Sequence, residues 1–385
     1  MLARKRLLKT VLDRMGWNPV TSILGPRQCG KTTLARMAIQ RRNVHYFDLE
    51  KPVDFDRLAN PARAIDGLRG LVILDEIQRR PELFNYLRVL SDRRPLRCRF
   101  LILGSATPGM VKGVSESLAG RVAFVNMGGF TLDETGASST TRLWLRGGFP
   151  RSFLAGNEEN SWAWRESMVQ TFLERDIPRL DIAVPATTLR RFWTMLAHYH
   201  GQTWNATEIA ASLGFSHVTA RKYLDHLTGT YMVRQLQPWF LNAGKRLVKA
   251  PKVYIRDSGI LHFLLGIRSR DDLETNPKLG ASWEGFAMEQ VLAVAGDRDA
   301  HFWATHGGGE LDLVIGSGTR KWGVEFKCAD VIKATKSMAV AMEDLDLKHI
   351  WVVHPGNDSY AVADRVDALS IRDVGRALKS IGARH

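Results

Sequence analysis

Short apolar runs at 21–24, 44–49, 70–74, 100–103 and 122–125 alternate with segments whose apolar positions recur at helical spacing, the first of them at 33–40. This alternation predicts a mainly parallel sheet covered by helices, since a parallel crossover needs a connection of helix length. An opening helix is expected over 1–10. From 141 to 200 the spacing is helical throughout, and Trp144, Trp162, Trp164 and Trp193 are expected to serve packing, because isolated helices need tertiary contacts. Residues 205–213 read as a short amphipathic helix with Ile209, Ala210 and Leu213 inward; Gly214 makes the turn, and Ser216 caps a second helix running to 227. On that second helix Val218, Leu224 and Leu227 are expected to face the core. Segments 232–237 and 247–255 follow as a hairpin wing. The last third predicts a helix at 281–295 and strands at 310–315 and 322–327 around a Gly-Ser-Gly turn. A packing helix at 331–347, a buried strand at 349–354 and a basic terminal helix at 371–385 complete the pattern.

Chemistry enters at the end of the first run. Residues 25–32 read Gly-Pro-Arg-Gln-Cys-Gly-Lys-Thr, a phosphate-binding loop set between a strand and a helix. Gly25 and Gly30 let the backbone curl so that successive amides point inward, and the helix adds its positive N-terminal end. The nucleotide-contacting set is Gly25, Pro26, Arg27, Gln28, Cys29, Gly30, Lys31, Thr32 and Thr33, with Lys31 neutralising the outer phosphate and Thr32 placed for magnesium. The 70–74 run ends in Asp75 and Glu76: the first carboxylate suits magnesium, the second suits orienting and deprotonating water. At the tip of the 100–103 run, Ser105 is preferred over Thr107 as the hydroxyl facing the outer phosphate. Arg121 is expected to stabilise the departing phosphate, in its own subunit or across a contact in a homo-oligomer; a surface salt bridge is the alternative.

The segments GPRQCGKTTL, LVILDEIQ, LILGSAT and SLAGRV resemble the AAA-type ATPase domain of a large prokaryotic family of predicted ATPases. The likeness continues through LRGGFP, LERDIPRL and KVYIRDSGI. It implies ATP binding and hydrolysis, and a C-terminal domain similar to the PD-(D/E)xK nuclease superfamily.

The later residues carry a matching pattern. Side chains two apart share a strand face, so Glu325 and Lys327 point together and a twisted pairing brings Asp312 beside them. Asp312 and Glu325, with the Phe326 carbonyl, are expected to hold a second divalent metal, Lys327 to position water, and Glu284 to add an outer carboxylate. This set resembles the nuclease motif, with Leu311 where the motif's name has proline.

Composition extends the picture. With 385 residues, two or three domains are expected. Lys plus Arg outnumber Asp plus Glu by 54 to 40, a formal charge of +14, which favours a polyanion such as DNA over mere solubility. Arg221 and Lys222 on the second short helix, and Lys245 and Arg246 in the wing, are the expected nucleic-acid contacts. Cys29, Cys98 and Cys328 lack metal-ligand spacing and fit a reducing cytoplasm. No apolar stretch approaches the roughly twenty residues of a membrane span.

The resulting expectation is an α/β multidomain chain: an AAA-type P-loop ATPase domain at 1–140, a helical connector at 141–200, a winged-helix-like module at 201–270 and a nuclease-like domain at 271–385. Mg-dependent ATP hydrolysis would be coupled to DNA binding or processing in the cytoplasm. The alternative is an ATP-dependent switch that holds a protein partner on a catalytically inactive nuclease-like fold.

Overall fold

Five strands, β1 (Val20–Gly25), β2 (Val44–Asp48), β3 (Gly70–Asp75), β4 (Cys98–Ser105) and β5 (Val122–Asn126), form a parallel sheet in the order β2-β3-β4-β1-β5. The computed structural model describes residues 2–39, 43–105, 108–178, 184–239, 249–305, 307–317, 319–329 and 331–379. The chain divides into two compact units, Met1–Phe130 with Gly229–Tyr231, and Thr131–Thr228 with Met232–His385. In the first, every residue of β1 is buried, as helices on both faces of a parallel sheet require. Val20, Leu24, Val72, Leu74, Phe100 and Ile102 pack with Leu83 and Leu87 of helix Glu82–Ser91.

The sheet order fixes where a ligand can enter. From β1 the chain passes to the far edge at β2 and returns through β3 and β4, while β5 lies on the other side of β1. Direction reverses about β1, and the crevice beyond the carboxyl ends of strands at such a reversal is the ligand position of open α/β sheets. The helix after β1 is Lys31–Ala38; it begins earlier than its apolar spacing indicates because Gly30, at φ 99°, turns the chain directly into it. The opening helix runs Lys5–Trp17.

The second unit carries β6 (Gln202–Thr203), β7 (Val233–Pro238), β8 (Lys252–Ile255), β9 (Ala300–Ala304), β10 (Glu310–Ser317), β11 (Arg320–Phe326), β12 (Ile350–His354), β13 (Tyr360–Ala363) and β14 (Val366–Ser370). They form a mixed sheet in the order β13-β14-β12-β11-β10-β9-β7-β8-β6. The parallel pairs Gln237↔His301 and Pro238↔Phe302 join the β6–β8 strands to the rest. Among the helices, Trp193 and Trp283 are fully buried, and Trp144 meets Trp283 edge-on at 5.1 Å, so these indoles serve packing.

Helices Ala206–Leu213 and His217–Gly229 flank Gly214, whose φ of 73° makes the expected turn. On the second helix Ala220, Leu224 and Leu227 face inward, whereas Val218 is 54% exposed, a correction to the expected core face. The helix expected at 331–347 is Lys336–Asp344, starting where the Thr335 hydroxyl accepts from the Met338 amide at 3.2 Å. The terminal helix is Val374–Ala377, and residues from 380 onward lie outside the described residues, as do Thr107, Lys245 and Arg246.

Two glycines at the second position of their helices separate propensity from packing. A Cβ at Gly259, in Ser258–Leu265, would lie 2.1 Å from the Arg146 carbonyl oxygen, whereas one at Gly280, in Leu279–Ala295, would meet nothing within 4 Å. Gly259→Ala is expected to destabilise by about 2 kcal/mol through backbone displacement, and Gly280→Ala to stabilise by up to about 1 kcal/mol. Urea unfolding midpoints that move in opposite directions are the expected readout.

Candidate functional site

The loop after β1 is held tightly from both sides. A Cβ at Gly25 would sit 2.0 Å from the Met127 carbonyl oxygen, so only glycine admits that approach. Gln28 takes a left-handed φ of 61°, and its neighbour Cys29 is buried. From the opening segment, the buried Arg4 guanidinium donates to the carbonyls of Gly128 at 3.0 Å, Gly129 at 2.7 Å and Cys29 at 3.4 Å. Lys31 is buried beneath the loop, its Nζ donating to the carbonyls of Pro26 at 2.7 Å and Gly25 at 3.1 Å. Pro26 is buried, Arg27 and Thr32 are partly covered, and Thr33 is exposed.

The acidic pair meets this loop from β3. The Thr32 hydroxyl donates to Asp75 Oδ2 at 2.8 Å, and the Tyr46 hydroxyl, from β2, donates to the same oxygen. Asp75 Oδ1 accepts from the Glu76 amide at 3.0 Å. Glu76 turns out of the strand at φ 54°, and its Oε2 accepts from the Gln78 side chain. Burial pushes the Glu76 carboxyl up, against the pull of Lys31 and Arg27. Burial and the bond to Asp75 push the Tyr46 phenol up, keeping it a proton donor. Tyr46, Gln78 and Arg4 lie outside the residues expected from sequence; each acts from a neighbouring element, and the run containing Tyr46 reads only as strand.

Ser105 ends β4 directly opposite Gly25 in register. Its hydroxyl is buried without a hydrogen-bond partner among the described residues. Arg121 is different. It immediately precedes β5, whose Val122 pairs with Val20 at the amino end of β1. That edge is about 20 Å from the phosphate-binding loop at roughly 3.3 Å per strand residue. The guanidinium there is bidentate to Asp92, at 2.7 and 2.8 Å. A role for Arg121 at the phosphates of its own subunit is thereby corrected; the side chain forms the surface ion pair.

In the second unit β10 and β11 bring the later charges together. The register Leu313↔Val324 sets Asp312 opposite Glu325, beside an irregularity where β10 meets β9. Asp312 Oδ2 accepts from the Phe326 amide at 3.0 Å, and Lys327 Nζ lies 2.7 Å from Glu325 Oε1. Glu284 enters from helix Leu279–Ala295 and accepts from the Tyr254 hydroxyl at 2.6 Å. Burial and the nearby Asp312 charge push the Glu284 and Glu325 carboxyls up to about 7.

A second cation beside these carboxylates, after Lys327, is Lys252 of β8. Its Nζ lies 2.5 Å from Glu310, 3.6 Å from Glu284 and 3.6 Å from Asp312. No group of three or more His, Cys, Asp or Glu among the described residues is arranged to hold a metal ion. The divalent-metal role expected of Asp312 and Glu325 thus finds no support in their neighbours: Asp312 faces the Lys252 ammonium and Glu325 that of Lys327. Arg221 and Lys222 are exposed on their helix, with Arg221 Nε 3.4 Å from Asp225. No helix among the described residues is long and apolar enough to cross a membrane.

A family model described as an AAA domain matches residues 17–136, and two domains of unknown function, DUF8612 and DUF4143, match 138–271 and 279–374. The fold and the loop thus define an AAA-type P-loop ATPase domain followed by a mixed-sheet unit. The uncharacterized protein Rv2008c of Mycobacterium tuberculosis is 50% identical over 351 residues, 91% of this chain and 80% of that protein. The uncharacterized protein Mb2031c of Mycobacterium bovis matches to the same extent. The chain belongs to the family of these two proteins. The Walker-type ATPase paby2304 of Pyrococcus abyssi is similar at a TM-score of 0.49 and 14% identity, over 69% of this chain and 96% of that one.

The buried carboxyl of Glu325 has a consequence for stability. Its folded pKa is raised from 4.5 to about 7, so its contribution to stability is full below pH 4.5 and is lost as pH rises through 7. Gln mimics the protonated form. Glu325→Gln is therefore expected to be more stable than wild type above pH 7, on the order of 2 kcal/mol, with the difference vanishing below pH 4.5. Unfolding curves across that range would refute this if the variant were the less stable form at high pH.

Proposed function

We propose that the first unit binds and hydrolyses Mg-ATP and that nucleotide state governs DNA binding or processing by the second. The observation that carries this is the convergence of Lys31, Thr32, Asp75, Glu76 and Ser105 at the carboxyl ends of β1, β3 and β4. The donor set fits magnesium: a hydroxyl and a carboxylate oxygen 2.8 Å apart, beside a glycine cradle and an unpartnered buried hydroxyl. Thr32 and Asp75 would hold the ion, which when bound supplies positive charge to the outer phosphates.

The residues then divide the work. Loop amides and the end of helix Lys31–Ala38 receive the phosphates. Lys31 transfers its hydrogen bonds from the Gly25 and Pro26 carbonyls to phosphate oxygens. Tyr46 keeps Asp75 aimed, and Gln78 orients Glu76. With its pKa raised by burial, Glu76 accepts a proton from the attacking water. Ser105 donates to the outer phosphate. Any contribution of Arg121 would come across a subunit contact in a homo-oligomer.

For the second unit, helix Ala186–His198, β6, two short helices and the β7–β8 hairpin follow in the order of a winged helix. That supports a winged-helix-like module at 201–270 between a helical connector at 141–200 and a nuclease-like domain at 271–385. Arg221 and Lys222, with Lys245 and Arg246, would meet the DNA backbone. A second reading, an ATP-dependent protein-binding switch on a catalytically inactive nuclease-like fold, is favoured by one observation: the Lys252 ammonium lies among the carboxylates.

Glu76→Gln is expected to keep ATP affinity while phosphate release falls about 100-fold or more, and Lys31→Ala to lose binding. DNA affinity should weaken steeply with salt, and Arg221→Ala with Lys222→Ala should flatten that slope by about 2. ATP turnover indifferent to DNA, with binding insensitive to salt, would remove the DNA half of the proposal and leave the protein-binding reading.

A further inference from the structure

Residues that lead into parallel strands share one edge of a sheet, as residues that follow them share the other. At the amino edge of the first unit stand Arg69 before β3, Arg97 before β4, Trp17 before β1 and Arg121 before β5. Register holds them in a row. Gly70 pairs with Cys98, the Gly70 amide donates to the Arg97 carbonyl at 3.1 Å, and Val20 pairs with both Phe100 and Val122. From β3 through β4 and β1 to β5 is three strand spacings, about 15 Å. Helix Glu82–Ser91 runs back to the same edge and carries Arg88 in its last turn, and the residues between it and β4 add Arg93 and Arg94.

Among the described residues, two aspartates pair with this row: Asp66 with Arg93 at 3.0 Å and Asp92 with Arg121 at 2.7 Å. Arg69, Arg88, Arg94 and Arg97 are exposed and form no ion pair among the described residues. Their field still reaches the aspartates. After its bond to Arg121, the charges of Arg94 and Arg88 help hold the Asp92 carboxyl below its usual range, and after its bonds to Tyr86 and Arg93, that of Arg97 does the same for Asp66.

Trp17 interrupts the charges. It is 74% exposed, more than any other large apolar side chain among the described residues, and the Arg14 guanidinium lies 5.9 Å from its ring centroid. The indoles of Trp144, Trp193 and Trp283 are buried in packing; Trp17 serves none. Guanidiniums pair bidentately with phosphates, and an exposed aromatic face stacks an unpaired base. A duplex keeps its bases stacked on one another and offers the indole none. An acidic protein segment would satisfy the arginines and leave the indole without a partner.

We propose that the amino edge of the five-stranded sheet is a docking strip for single-stranded nucleic acid, with Arg69, Arg88, Arg94 and Arg97 on phosphates and Trp17 stacked on a base. The strip lies at the edge opposite the phosphate-binding loop and uses no residue of the nucleotide site. It stands whether or not the second unit meets DNA.

The test is fluorescence anisotropy of a labelled oligothymidine, and of a duplex of the same length, with the full-length chain carrying Arg221→Ala and Lys222→Ala, which removes the helix contacts assigned to the second unit. Added to that parent, Trp17→Ala is expected to weaken single-strand binding at least about fivefold while leaving duplex affinity and the salt slope unchanged. Trp17→Phe, which keeps an aromatic face, should recover part of the loss. Arg69→Ala with Arg97→Ala should flatten the single-strand salt slope by about 1.4. ATP turnover without nucleic acid should match the parent in every variant, showing that the fold is intact. Absence of single-strand binding in the parent overturns the proposal, as does a single-strand affinity that neither set of substitutions changes, or an equal loss for the duplex with Trp17→Ala. Polyglutamate bound more tightly than oligothymidine of equal charge overturns it in favour of an acidic protein partner. If Arg221→Ala and Lys222→Ala change nothing by themselves, the contact assigned to the second unit fails and the strip stands.

Discussion

A lysine ammonium buried among oxygens governs the chemistry of each unit. Removing such a charge from water is costly unless nearby oxygens replace the lost hydration. Lys31 meets this requirement with the carbonyls of Gly25 and Pro26, and Lys252 with the carboxylates of Glu284, Glu310 and Asp312. Neither lysine can be moved without exposing its partners to the same penalty. The surrounding backbone is correspondingly constrained: Gly25 fits against Met127 with no room for a Cβ, and Arg4 ties the loop to the carbonyls of residues 128 and 129.

Sheet topology converts these local requirements into a site. Parallel strands place whatever follows them at one edge, so the loop after β1, the acidic pair after β3 and the hydroxyl ending β4 arrive together. Their sequence separation is then irrelevant to their proximity. In the second unit the antiparallel pairing of β10 with β11 does the same for Asp312 and Glu325, and the register irregularity beside Asp312 re-aims side chains as bulges do.

How much of this is legible in sequence follows from the same geometry. The phosphate-binding loop is legible because its glycines, lysine and threonine are contiguous and each answers a backbone or charge requirement. The pairing of Asp312 with Glu325 and Lys327 is legible from strand periodicity. Tyr46 and Gln78 are not, since their meaning lies in hydrogen bonds to Asp75 and Glu76 that a run of strand residues does not advertise. Arg121 carries a signal that adjacency to an apolar run obscures: a residue preceding a parallel strand lies at the edge opposite the loops that follow the strands. Lys252 stands in the KVYIRDSGI segment, where an apolar alternation shows a strand but not which carboxylates another part of the chain will bring to it.

The two ammonium groups differ in what can displace their partners. Lys31 rests on neutral carbonyls, so an incoming phosphate offers it a charged acceptor, and charge-assisted hydrogen bonds are roughly twice as strong as neutral ones. The exchange favours an anion. Lys252 already holds carboxylates, so a phosphate offers it nothing stronger, and the surplus negative charge around it repels one. The same side chain therefore suits one unit, and not the other, to an incoming anion, and the difference lies in whether its oxygens carry a formal charge.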